Sequence, residues 1–201
     1  NARIRNSFAD GVNFAQGTAN SAVRNSSVRG NGDDGLASWS SIDTSTNSQA
    51  RVAEANSFVG NTIELGWRAS GIGIFGGKSH AIRDNLLVNN FSGAGIRLNT
   101  VFDGHNFDLN TDGGITIAHN KLVRSGTTND FYGNTRGAID FQEVKGTFAT
   151  SPPPTMSLFA PTLRRSAPTL ASARVLCLPA ASRCAITSVT TRPATLPRAK
   201  S

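Results

Sequence analysis

The chain has 201 residues, with 20 Lys+Arg against 13 Asp+Glu and a formal charge of +7, a balance that invites a nucleic-acid reading. Dividing the chain excludes it: residues 1–146 hold 13 Lys+Arg and all 13 Asp+Glu, for a net charge of zero, and 147–201 hold seven basic residues and no acid. No apolar run is long enough to span a bilayer, and both cysteines, Cys177 and Cys184, fall in the second part, so the first relies on neither disulfides nor thiolate metal sites.

The first part contains all 20 glycines, all 18 asparagines and no proline. Along it, one phrase recurs: an apolar residue, an asparagine and another apolar residue, followed by a short glycine-led strand. It appears first at 4–8 with the strand at 11–14, then at 23–28 with 35–39. It returns at 55–59 with 71–75, at 82–88 with 95–98, and at 117–123 with 137–141. The asparagines at 6, 25, 56, 85 and 120 stand 19, 31, 29 and 35 residues apart. Short strands repeating at this period describe a solenoid, and the absence of sustained 3.6-residue periodicity excludes a helical one. The expected fold is all-β, a parallel β-helix of about five coils in residues 1–146. Asparagine suits its corners, because it tolerates left-handed backbone and its amide can bond along a stack. An antiparallel sandwich is the alternative, but it would not require the same two-strand phrase five times in one order.

From residue 147 the composition changes abruptly. All eight prolines lie here, beginning with the Pro-rich stretch at 150–155, and Leu, Ala, Arg and Ser follow without period. An irregular or disordered tail is expected for 147–201, either a linker or a stretch translated out of frame. The joint loss of Gly, Asn, Asp and Glu favours the second origin, which sequencing of the coding DNA across the junction decides. The tail's cations read as a solvated segment, not a binding patch.

Aligning the coils on their strand glycines stacks the preceding residues: Asp10, Asp34, Ser70, Ala94 and Arg136. Successive coils lie about 4.8 Å apart, so Asp10 and Asp34 are neighbours and Asp33 adds a third carboxyl. Repulsion raises at least one pKa, which supplies both an acid and a base for glycosidic hydrolysis. Asp-Gly is equally a turn dipeptide, and a stacked acid pair can hold a structural cation. The outward positions of the glycine-led strands are Asn13, Ala37, Gly73 and Arg97, a groove with small residues at its centre. In the fifth coil Ile139 falls where an outward residue belongs. Trp39, Trp67 and Phe75 can stack on sugars or serve as packing. His80, His105 and His119 are not grouped as metal ligands and read as surface or turn residues.

The run Phe8-Ala9-Asp10-Gly11-Val12-Asn13, followed by Gly32-Asp33-Asp34-Gly35-Leu36-Ala37-Ser38-Trp39, resembles the catalytic core of family 87 glycoside hydrolases, the bacterial α-1,3-glucanases and mycodextranases. The stretches 70–77, 84–86 and 93–96 continue the likeness, which ends near residue 146. The resemblance implies a right-handed parallel β-helix and inverting hydrolysis of α-1,3-glucosidic linkages in an α-glucan. Carried over by motif, Asp33 is the general acid, and Asp10 and Asp34 are the bases that activate water. Asn13, Trp39, Trp67 and Arg97 are the expected substrate contacts. Neither metal nor cofactor is expected, nor any nucleic-acid or membrane partner, and the enzyme is expected to be a secreted monomer. Three alternatives stand beside this reading: a polygalacturonase-like pectin hydrolase, a non-catalytic polysaccharide-binding β-helix, and an inactive fragment.

Overall fold

The computed structural model describes residues 1–42, 50–109 and 114–145, together with strand segments at 148–149, 156–158, 169–177 and 184–193. Among the described residues there is no helix, hence none long and apolar enough to cross a membrane. Three parallel sheets wrap around one apolar core, as a parallel β-helix requires. The first stacks Arg3–Arg5, Ser27–Arg29, Thr62–Glu64, Leu86–Val88 and Lys121–Val123. The second stacks Val12–Phe14, Leu36–Trp39, Ile72–Phe75, Ile96–Thr100 and Ile139–Glu143. The third begins with Ala22–Arg24, Ser57–Val59, Ala81–Arg83 and Thr116–Ala118. One coil therefore carries three strands, not the two read from the repeated phrase.

The difference has a simple origin. Strands of three residues flank a sharp corner, so Ile82 and Leu87 belong to different sheets although they read as one phrase with Asn85 between them. The corner bends through left-handed residues, at Asn25 (φ 50°), Gly60 (68°), Asp84 (58°) and His119 (55°). The residue after each points inward and stacks: Ser26, Asn61, Asn85, Asn120. Asn61 Nδ2 donates to Asn85 Oδ1 at 3.0 Å, and Asn85 Nδ2 to Asn120 Oδ1 at 2.9 Å. The same amides reach the carbonyls of Val23, Phe58 and Ile82 at 2.9 Å. Of the five asparagines aligned by sequence, only Asn85 and Asn120 share this column. Asn56 occupies another corner, and Asn6 and Asn25 are themselves left-handed turn residues.

Alternation in each strand turns one residue inward. Val28, Ile63 and Leu87 from the first sheet, Leu36, Ile72 and Ile96 from the second, and Phe58, Ile82 and Ile117 from the third form the core. Each such side chain withdrawn from water contributes about 1.5–3 kcal/mol. In the second sheet the register confirms Asn13, Ala37, Gly73 and Arg97 as one outward column. The fifth coil continues it with Asp140, because Ile139 pairs with Ile96. Ala138, not Gly137, thus stands in the glycine column. A turn longer than those of the earlier coils shifts the frame by one, which corrects the sequence alignment and removes the anomaly at Ile139.

The irregular tail expected after residue 147 contains strand at the described segments. Met156–Leu158 pairs with the third sheet through Leu158 and Ile117, and Thr169–Cys177 pairs antiparallel with Cys184–Pro193. The second of these long segments carries five β-branched residues and the first two, Thr169 and Val175, and such residues favour extended backbone. The Pro-rich stretch at 150–155 lies outside the described residues.

Candidate active site

A cleft of about 330 Å³ runs across the outward face of the second sheet. Its floor is Asn13, Ala37, Arg97, Trp39 and Phe75. One wall is the turn that enters this sheet, coil after coil, and the other is the loop carrying Phe102 and His105.

Asp10 and Asp34 hold equivalent positions in that turn, since Gly11 N–H donates to the Asp34 carbonyl at 3.0 Å. One oxygen from each of Asp10, Asp33 and Asp34 lies within 4.8 Å of the others. The stack inferred from the glycine alignment is therefore present, with Asp33 beside it. Asp34 is buried, and its Oδ1 accepts the Ser70 N–H at 2.7 Å. Gly73 makes room for it: a Cβ there would stand 2.5 Å from Asp34 Oδ2. Asp10 Oδ2 accepts from Asn13 Nδ2 at 2.6 Å, and Asn13 Oδ1 accepts from Trp39 Nε1 at 2.6 Å.

Burial, with the Asp10 and Asp33 charges beside it, pushes the Asp34 carboxyl up to about 8. Asp10 is also raised, by burial first and by Asp33 second, against the pull of Asn13 and Arg68. Repulsion was the cause expected from sequence; loss of water is the larger one. Asp33 forms an ion pair with Arg68.

Six of the seven expected site residues line the cleft: Asp10, Asp33, Asp34, Asn13, Trp39 and Arg97. Trp67 does not. It stands 57 % exposed on the outer ridge of the turn, with its ring over Gly32. Arg68, Phe102, His105, Asp130 and Tyr132 also line the cleft and escaped the sequence reading. For Arg68 a signal existed. Gly32 and Trp67 bond to corresponding carbonyls of the coil below, Ser7 and Asn31, so Arg68 is the residue stacked above Asp33. Aligning on the downstream glycines hid this, because the third turn is one residue longer. Asp130 and Tyr132 arrive on a loop pinned by the buried Asp130–Arg136 pair at 2.8 Å, which no repeat could reveal. The histidines also need correction: His119 is exposed, but His80 and His105 are buried, the first in a corner of the core and the second in the cleft wall.

Together the fold and the cleft define a parallel β-helix with a carboxylate cluster laid across one of its sheets. Residues 1–149 match the family model described as alpha-1,3-glucanase catalytic domain D2, and the chain belongs to that family. It is 48 % identical to the protein in a crystal structure of the Agl-KA catalytic domain, over 73 % of this chain and 25 % of that one, with a TM-score of 0.62. It is 29 % identical to the catalytic unit of a thermostable GH87 alpha-1,3-glucanase from Streptomyces thermodiastaticus strain HF3-3, over 72 % of this chain and 26 % of that one, with a TM-score of 0.50. This chain thus spans about a quarter of each. Among curated proteins no match is found.

Proposed function

We propose that the cleft hydrolyses α-1,3-glucosidic linkages of an α-glucan with inversion, through Asp10, Asp33 and Asp34. The observation that carries this reading is the three-carboxylate cluster in a cleft walled by aromatic side chains. Aromatic faces hold sugar rings, while acid–base hydrolysis needs one protonated and one ionised carboxyl within reach of the bond. In the reaction Asp33 gives a proton to the departing glycosidic oxygen. Asp10 and Asp34 orient a water and take its proton as oxygen attacks the anomeric carbon from the opposite face. These roles, and inversion, rest on the family resemblance.

The three carboxyls stand close enough for the Asp10 and Asp33 charges to act on the buried Asp34. At neutral pH the cluster retains a proton, which burial draws to Asp34. For Asp33 to act as the acid, it must receive this proton from Asp34 and be released from its pair with Arg68. Activity therefore falls on the alkaline side as the proton leaves, near pH 8. Of the cleft's cations, Arg68 is neutralised by Asp33, which suits a neutral glucan better than an anionic pectin. Such a polymer is insoluble, so the enzyme is placed outside the cell.

The test is incubation of the full chain with insoluble α-1,3-glucan, an alternating α-1,3/α-1,4-glucan and polygalacturonate. Reducing sugar is expected from the first, with the β-anomer appearing first by NMR and a loss of about 10²- to 10⁴-fold in Asp33→Asn. An initial α-anomer rules out inversion. Release from polygalacturonate alone rules out the substrate, and binding without hydrolysis returns the chain to the class of carbohydrate-binding solenoids.

A further inference from the structure

Asn13 was expected to touch substrate, yet both ends of its amide are already engaged within the protein. The indole Nε1–H of Trp39 is a donor and nothing else. By taking Asn13 Oδ1 at 2.6 Å it settles which end of the amide faces which neighbour. The amino group must then face Asp10, whose Oδ2 it meets at 2.6 Å. The reverse orientation would set two donors against each other at Trp39. Trp39 and Asn13 sit on adjacent strands of the second sheet, in a register that pairs Asn13 with Ala37. The backbone thus fixes the spacing of all three groups.

We propose that Trp39 and Asn13 are positioning residues that hold Asp10 with its Oδ2 as an acceptor, coupling the aromatic end of the cleft to the base. This rests on reading Asp10 as that base. The consequence is a division of labour within one stack. Asp10 and Asp34 occupy equivalent places one coil apart, but only Asp10 has an oriented amide donor on its outward side. Burial raises both carboxyls, but at Asp10 the Asn13 amide pulls back towards the carboxylate. The groups that act on Asp10 from the coils above it are Asp33, whose charge opposes its ionisation, and the Asp34 backbone N–H and Arg68, which favour it. A sugar ring lying against Trp39 would press on the residue that sets the base, so that occupancy at the aromatic end and readiness at the acid cluster change together.

The experiment follows the side-chain carboxyl carbon of Asp10 by NMR titration of the full chain labelled with ¹³C-aspartate, assigned with Asp10→Asn. Trp39→Phe keeps a ring against His105 but removes the N–H. It is expected to raise the Asp10 midpoint and to lower kcat about tenfold with little change in KM. In an Asn13→Leu background, where Asp10 is already raised, the same Trp39→Phe change is expected to do nothing further. A shift of equal size in both backgrounds overturns the relay, because Trp39 would then act by packing alone. So does an unmoved Asp10 in Trp39→Phe. The titration needs no substrate. Coupling seen in a chain that leaves α-1,3-glucan intact upholds the relay and rejects the glucanase reading.

Discussion

Two polar stacks run along this solenoid, built by the same rule and differing by little more than an oxygen for a nitrogen. At the corner between the third and first sheets, Ser26, Asn61, Asn85 and Asn120 lie one above another, and the amides serve one another and the backbone of the coil below. At the turn into the second sheet, Asp10 and Asp34 lie one above another, and neither can donate to the other while ionised. An amide carries a donor and an acceptor, so a column of amides satisfies itself and its bonds polarise in sequence. A column of carboxylates holds acceptors only. It must recruit donors from outside, which here are Asn13 and the Ser70 N–H, with Arg68 on Asp33 beside it, or keep a proton. The fold does not distinguish the two columns; residue chemistry makes one of them a staple and the other a site.

Exchanging the chemistry of the columns breaks the comparison most sharply. Asn85→Asp is nearly isosteric, so no cavity opens, but a carboxylate there faces Asn120 Oδ1 and loses the donor it gave that oxygen and the Phe58 carbonyl. A loss of about 3–5 kcal/mol is expected at pH 7 in urea unfolding. It should shrink towards pH 4, where the new carboxyl can hold a proton. A loss that ignores pH would show that the ladder's amide groups are interchangeable with any polar group of the same size.

The opposite exchange, Asp34→Asn, has a smaller effect and the opposite sign. Asp34 is raised to about 8 from an ordinary 3.8, so between these values the native state holds a proton that the unfolded chain has released. Stability therefore declines as pH rises through that window, and asparagine, with no proton to lose, escapes the decline. Its Oδ1 can still accept the Ser70 N–H. The variant is expected to lose hydrolysis and yet be more stable at pH 8, on the order of 2 kcal/mol, with little difference at pH 4. Thermal unfolding at the two pH values measures it, and equal melting temperatures at pH 8 would mean that the native cleft tolerates the charge.

The two columns were not equally legible in the sequence. The acid stack could be read because each strand of the second sheet is announced by a glycine, and four of the five glycines hold register. The amide ladder could not. Its three-residue strands lie on both sides of the corner, and a phrase spanning two sheets looks like one strand, so asparagines from three different corners were aligned together. Arg68 was lost to one extra residue in a turn, and the Asp130–Tyr132 side of the cleft to a loop outside the repeat. What the repeat encodes is register within a sheet. What it leaves out is where coils lengthen, and there the cleft acquires its Arg68, Tyr132, Phe102 and His105 walls.

A third corner gives the smallest and most specific test of the comparison. His80 sits in the column of Ser21 and Asn56, buried, with Nδ1 accepting the Asn56 N–H at 3.2 Å. It serves as a neutral acceptor where the neighbouring coil uses an amide. Burial pulls its pKa down to about 4, against the pull of the Gly76 backbone and the Glu54 carboxylate. Between about 4 and the ordinary 6.5 the unfolded chain takes a proton that the native state refuses, so stability falls as the pH drops through this window. His105, lowered to about 4 by burial in the cleft wall, contributes in the same direction. His80→Asn restores the column's amide and removes one of the two titrations. It is expected to cost about 1 kcal/mol at pH 7 through looser packing, and to lessen the acid slope between pH 4.5 and 6 by up to about 1.4 kcal/mol per pH unit. Carboxylates elsewhere titrate alike in both proteins and cancel in the difference. An unchanged slope would mean that the imidazole is protonated in place, and that this corner tolerates a charge as the cleft does.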